Sequence, residues 1–91
     1  MIEEERKIGD EAIRKELREF GRRARLRREI DFCRGAIVPI LRTAQDGNSR
    51  DKSKALYNAS EIAERMGARE LSITLAADSW GYHLKAEAEG I

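Results

Sequence analysis

Two apolar stripes run through the first 44 residues, and they do not share a face. Ile13, Leu17, Phe20 and Ala24 follow a 4-3-4 spacing that puts them on one side of a helix. Leu26, Ile30, Cys33, Ile37, Leu41 and Ala44 form a second stripe. At about 100° per residue, it is rotated from the first by more than about 90°. From Glu3 to about Ala44 the composition is strongly helical, with charges at offsets of three and four. Such a segment is either one long helix burying two faces against different partners, or two helices broken around residues 21–25, near Gly21. In both cases it connects packing surfaces. Pro39 interrupts the second stripe. It lacks an amide donor and clashes with the carbonyl four residues back, which predicts a kink or helix end near Ile37–Val38.

Ninety-one residues predict a single small domain, 1–91, with a small core. At this size stability leans on disulfides, metals or a partner subunit. One cysteine, Cys33, cannot form an internal disulfide, and one histidine, His83, leaves too few ligands for zinc. No metal and no cofactor is therefore expected, and self-association is. Cys33 reads as a buried small hydrophobe, since no positioned base accompanies it. No apolar run approaches the roughly 18 residues of a membrane span. The N-terminus opens on acids rather than on the layout of a signal peptide, and a lone thiol fits a reducing cytoplasm.

Downstream, "QDGNSRDKS" at 45–53 reads as a loop, and a second helix is expected over about 52–66, ended by Gly67 in the left-handed region. The C-terminal stretch alternates. Leu71, Ile73, Leu75 and Ala77 oppose Ser72, Thr74 and Asp78, and Tyr82, Leu84, Ala86 and Ala88 oppose His83, Lys85, Glu87 and Glu89. Ala76 alone departs from a period of two, the strand signature. Asp78-Ser79-Trp80-Gly81 is a turn-forming set. A four-residue loop pairs Leu75 with Leu84 and Ile73 with Ala86, which keeps the apolar residues on one face. The expected fold is thus α+β: a long charged N-terminal helical region, a second helix, and an antiparallel β-hairpin over about 70–89. The open edges of that hairpin would invite a second copy, so a homodimer is expected.

A rival reading rests on "ASEIAERMGARELSI", residues 59–73, which resembles a helix-turn-helix DNA-binding motif. Ile62-Ala63, Met66, Gly67 and Ser72-Ile73 occupy the places that such motifs fill with an apolar-Ala pair, an apolar residue, a turn glycine and Ser/Thr-apolar. The resemblance implies an all-α domain in which residues 69–77 form a recognition helix, with Arg69, Ser72 and Thr74 towards the major groove. It covers about fifteen residues and lacks most of the side chains that read base edges. Strand and recognition helix exclude each other, and alternation, turn and register together favour the strand.

The formal charge of +1 conceals blocks. Residues 1–13 hold five acids and two bases, whereas residues 14–28 hold eight bases and two acids. "GRRARLRR", 21–28, has five arginines and no acid. On a helix, Arg14, Arg18, Arg22 and Arg25 form one stripe, extended partly by Arg28, and Arg23 and Arg27 belong to the same basic block. Two uses compete: a solvated face supported by Glu11, Glu16 and Glu19, or a docking site for nucleic acid or an acidic protein surface. Asp78, Ser79 and His83 lie close in sequence without the spacing of a catalytic triad, so no enzyme and no small-molecule substrate is expected. The favoured expectation is a small regulatory protein that binds nucleic acid through Arg14, Arg18, Arg22, Arg23, Arg25, Arg27 and Arg28. The alternative is a protein-interaction module, an adaptor or an inhibitor of the phage or mobile-element type, using the arginine face with Trp80 and Tyr82 at the hairpin tip.

Overall fold

The computed structural model describes residues 2–91, with side chains from Asp10 onward. The acidic side chains of Glu3, Glu4 and Glu5 lie outside that description. The chain is 88% helical, in three helices, and forms no strand among the described residues. They are α1, Ile2–Thr43, α2, Ser49–Arg65, and α3, Arg69–Glu89. The expected α+β fold is therefore corrected to all-α, and residues 70–89 are one continuous helix in place of the β-hairpin.

Two further boundaries move. α1 runs unbroken through residues 21–25 and past Pro39 to Thr43. The carbonyl that loses its partner at Pro39 belongs to Gly35, which is exposed and open to water. α2 begins at Ser49, inside the expected loop, because Asn48 caps it. The Asn48 side chain accepts from the Asp51 N–H at 2.9 Å, and the Asp51 carboxylate accepts from the Asn48 N–H at 3.3 Å. This reciprocal pair satisfies two otherwise orphaned donors.

Gly67 ends α2 as expected, at φ +81°. The Gly67 N–H donates to the Glu64 carbonyl at 3.0 Å and the Ala68 N–H to the Ala63 carbonyl at 2.8 Å. Those two bonds, with buried Ala63 and Ala68 meeting across them, define the Schellman termination. The chain then folds back, and α3 lies antiparallel along the whole of α2. Near the middle, Ser53 Oγ donates to the Ser79 carbonyl at 2.9 Å and Ser79 Oγ donates to the Ser53 carbonyl at 2.7 Å. At the far end Ser49 Oγ donates to the Glu89 carboxylate at 3.2 Å, and Arg50 donates through Nε and Nη2 to the Ile91 main-chain oxygen.

Small residues make this α2–α3 hairpin close. Ala55, Ala59, Ser60 and Ala63 are buried on α2, against Leu71, Leu75, Ser79 and Ala86 on α3. Alanine and serine at the crossing let two helix backbones approach within the lower range of packing distances. α1 lays its second stripe on the hairpin. Cys33 is fully buried, Ile37 is buried, and Leu26 and Leu41 pack partly against the same cluster with Leu56 of α2. Each buried Leu or Ile here contributes about 1.5–3 kcal/mol.

Candidate functional site

The tie between α1 and the hairpin is polar as well as apolar. Ala68 precedes α3 and offers no capping side chain. The vacancy is filled from α1: Glu29 Oε2 accepts the Leu71 N–H at 2.9 Å, a carboxylate placed at the positive end of a helix. About two turns earlier on α1, Arg22 Nε lies 3.9 Å from Glu70 Oε2. That pair is exposed and long, and contributes little to stability. Glu29, together with the buried Cys33 and Ile37 of the second stripe, fixes the rotation of α1 about its own axis, and with it the direction of every arginine on it.

All seven expected arginines are exposed: Arg14, Arg18, Arg22, Arg23, Arg25, Arg27 and Arg28. They do not share one face. Arg14, Arg18, Arg22 and Arg25 fall within a sector of about 80°, with Arg28 beside it, whereas Arg23 and Arg27 point about 140° or more away from the middle of that sector. From Arg14 to Arg25 the stripe spans about 16 Å along the axis. Arg22 has Glu70, and Arg18 Nε approaches the Arg14 carbonyl at 3.4 Å within the helix. Among the described residues, no acid lies within ion-pair distance of the other six. The stripe begins on a part of α1 that touches neither other helix and ends beside the α3 N-terminus.

Trp80 and Tyr82 are not at a hairpin tip, because that turn is mid-helix. Two positions apart on α3, they face about 160° away from each other. Trp80 is exposed and stacks on His83, with ring centroids 5.2 Å apart, and shares a groove with exposed Tyr57 of α2. Tyr82 is half-buried, with the Lys52 ammonium 5.8 Å from its ring centre. They cannot serve one flat partner surface together. Tyr57, not Tyr82, is the neighbour of Trp80, and only the antiparallel pairing of α2 and α3 reveals it.

Residues 69–77, the recognition helix implied by the helix-turn-helix resemblance, are the first turns of α3. Arg69 is exposed, while Thr74 turns its hydroxyl back to the Glu70 carbonyl at 2.8 Å. Helix-turn-helix pairs cross at roughly 90–120°, whereas α2 and α3 lie side by side along their length.

Ser79, the centre of the expected turn, is buried and bonded to Ser53. Burial, and secondarily the negative charge of Glu29, push the Cys33 thiol above its ordinary range. Among the described residues no cluster of three His, Cys, Asp or Glu side chains could hold a metal ion, and no helix is long and apolar enough to cross a membrane. Comparison with protein-family models, curated proteins and solved structures finds no match to this chain.

Proposed function

We propose that the protein is a small binding protein that grips the phosphate backbone of nucleic acid with the Arg14, Arg18, Arg22 and Arg25 stripe of α1. The observation that carries this reading is a row of exposed guanidinium groups left almost without acidic partners among the described residues. Like charges crowded on one helix repel each other, and an external polyanion relieves that cost. Guanidinium also suits phosphate better than ammonium does, because its fork donates two parallel hydrogen bonds. Arg28 extends the grip, and Arg22 trades the long Glu70 contact for a phosphate. In this reading the stripe contacts phosphates, which carry no sequence information directly, so affinity is expected to be largely independent of sequence.

Salt titration tests this. Binding to a duplex, followed by anisotropy, should weaken linearly on a log–log plot, with a slope of roughly −3 to −4 for the four-arginine stripe. Arg18→Gln with Arg22→Gln keeps side-chain length and helix propensity and should reduce that slope by about 2. No binding to duplex or single strands at about 50 mM salt would overturn the proposal. A second reading, a protein-interaction module, draws on exposed Trp80 and Tyr57 in their shared groove. In a nuclease-treated pull-down it predicts a captured protein that is lost on Trp80→Ala and kept on Arg18→Gln.

A further inference from the structure

The first apolar stripe found no partner within the chain. Ile13, Leu17 and Phe20 are 57%, 65% and 73% exposed, whereas the second stripe buries Cys33 and Ile37 against the hairpin. By helical phase the bare stripe points about 150° from the face that meets the hairpin. A partner lying on it would therefore meet neither α2 nor α3. Three large apolar side chains in a row on a solvated helix are what a helix-to-helix seam requires.

The residues bounding this seam say which partner fits. In heptad terms Asp10, Leu17 and Ala24 occupy a positions and Ile13, Phe20 and Arg27 occupy d positions. An antiparallel pair of identical helices sets each a beside a d of its mate. Leu17 then meets Phe20, Ile13 meets Ala24, and Asp10 meets Arg27, each twice by symmetry. The apolar stretch is closed at both ends by opposite charges. The flanking g positions are Glu16 and Arg23, which antiparallel pairing also brings side by side. A parallel pair does the reverse. It sets Asp10 against Asp10 and Arg27 against Arg27, places Arg23 beside Arg28, and stacks the two arginine blocks alongside each other.

We propose that the Asp10–Arg27 segment of α1 is a homodimer seam, pairing antiparallel with the same segment of a second copy. This goes beyond the nucleic-acid reading and divides the arginines between two tasks. Arg23 and Arg27 bind the second copy, Arg14 flanks the seam at an e position opposite the mate's Gly21, and Arg18, Arg22 and Arg25 stay off the seam and face outward. The seam is short, at the small end of protein interfaces, so a weak, concentration-dependent dimer is expected.

Sedimentation velocity of the full chain without nucleic acid, over a concentration series, provides the first measurement. A monomer–dimer equilibrium that Leu17→Asp abolishes is expected, with unchanged helicity by circular dichroism. Glu16→Arg alone and Arg23→Glu alone should each raise the dissociation constant about tenfold, since two attractive pairs become repulsive. The double variant E16R/R23E should restore it. Orientation is read separately by mixing I13C protein with A24C protein of a different length. Oxidation should yield the mixed disulfide over either like-with-like product. A chain that stays monomeric at all concentrations overturns the proposal, as does a double swap that fails to rescue or a preference for like-with-like cross-links. Because Arg18 and Arg22 are untouched and no nucleic acid is present, failure here is distinct from failure of the phosphate grip.

Discussion

Glu29 is one carboxylate with two consequences. It caps α3 across the fold through the Leu71 N–H, and its charge adds to the burial that raises the Cys33 thiol. A thiol whose folded value lies above its unfolded one stabilises the neutral form only in the folded state. That contribution is fully present below the ordinary thiol range and is lost as pH rises from there towards the folded value. The fully buried Cys33 should thus make the protein less stable in alkali. Urea midpoints at pH 7 and pH 9.5 should fall more for the natural chain than for Cys33→Ala, which has nothing to ionise. The variant should lose about 1 kcal/mol at pH 7 through the missing sulfur contacts. Equal slopes with pH would show that the thiol does not ionise on unfolding in that range. The buried-cysteine reading was available from sequence, but its neighbour Glu29 was not, since 42 positions separate Glu29 from the amide it caps.

At the scale of the element, Gly35 and Gly67 make a matched pair. A Cβ at either would meet nothing within 4 Å, yet Gly67 sits at φ +81° and Gly35 lies within α1. Gly67→Ala should cost about 1–2 kcal/mol, the penalty of an L-residue in the left-handed region. Gly35→Ala should stabilise by about 0.5–1 kcal/mol, because alanine loses less backbone freedom in a helix. Thermal midpoints moving in the same direction would contradict this account of the turn. The Gly67 stop was legible because glycine at a helix end has one cheap conformation. The C-terminal strand pair was misread because periods of 2 and 3.6 coincide at every fourth residue. Leu71 and Leu75 belong to both patterns, as do Tyr82 and Ala86. The residues that separate them are Ile73 and Leu84, both largely exposed, and Ser79, which is buried. Helix-forming Leu71, Leu75, Ala76, Ala77, Ala86 and Ala88 outweighed β-branched Ile73 and Thr74, and the residues of the expected turn are tolerated mid-helix when Ser79 finds a carbonyl on α2.

For the whole molecule, what sequence could and could not show divides along α1. Periodicity revealed two faces, and the molecule uses them differently: one docks on the hairpin, while the other is bare. Helical phase alone cannot say which stripe finds a partner inside its own chain, since that depends on where α2 and α3 lie. The arginine sector was legible because exposure follows from charge. Its separation into Arg14, Arg18, Arg22 and Arg25 on one side and Arg23 and Arg27 on another needs only the helical period. The expectation that strand edges would recruit a second copy falls with the strands themselves. In their place stands the bare stripe, which periodicity had already exposed as a face apart.

The three-residue turn between α2 and α3 has a kinetic consequence. It brings neighbouring segments together across little intervening chain, whereas docking α1 must close separations such as the 42 positions from Glu29 to Leu71. Short-range contacts cost less entropy to form first, so the hairpin is the expected folding nucleus and α1 joins after the barrier. Stopped-flow chevrons then distinguish two kinds of damage. Ala59→Gly, inside the hairpin, should slow folding, while Ile37→Val, on α1, should mainly speed unfolding. The opposite pattern would place the nucleus on α1. If the order holds, denaturing fluctuations begin with α1 lifting away, and the arginine face leaves its fixed bearing before the hairpin unfolds.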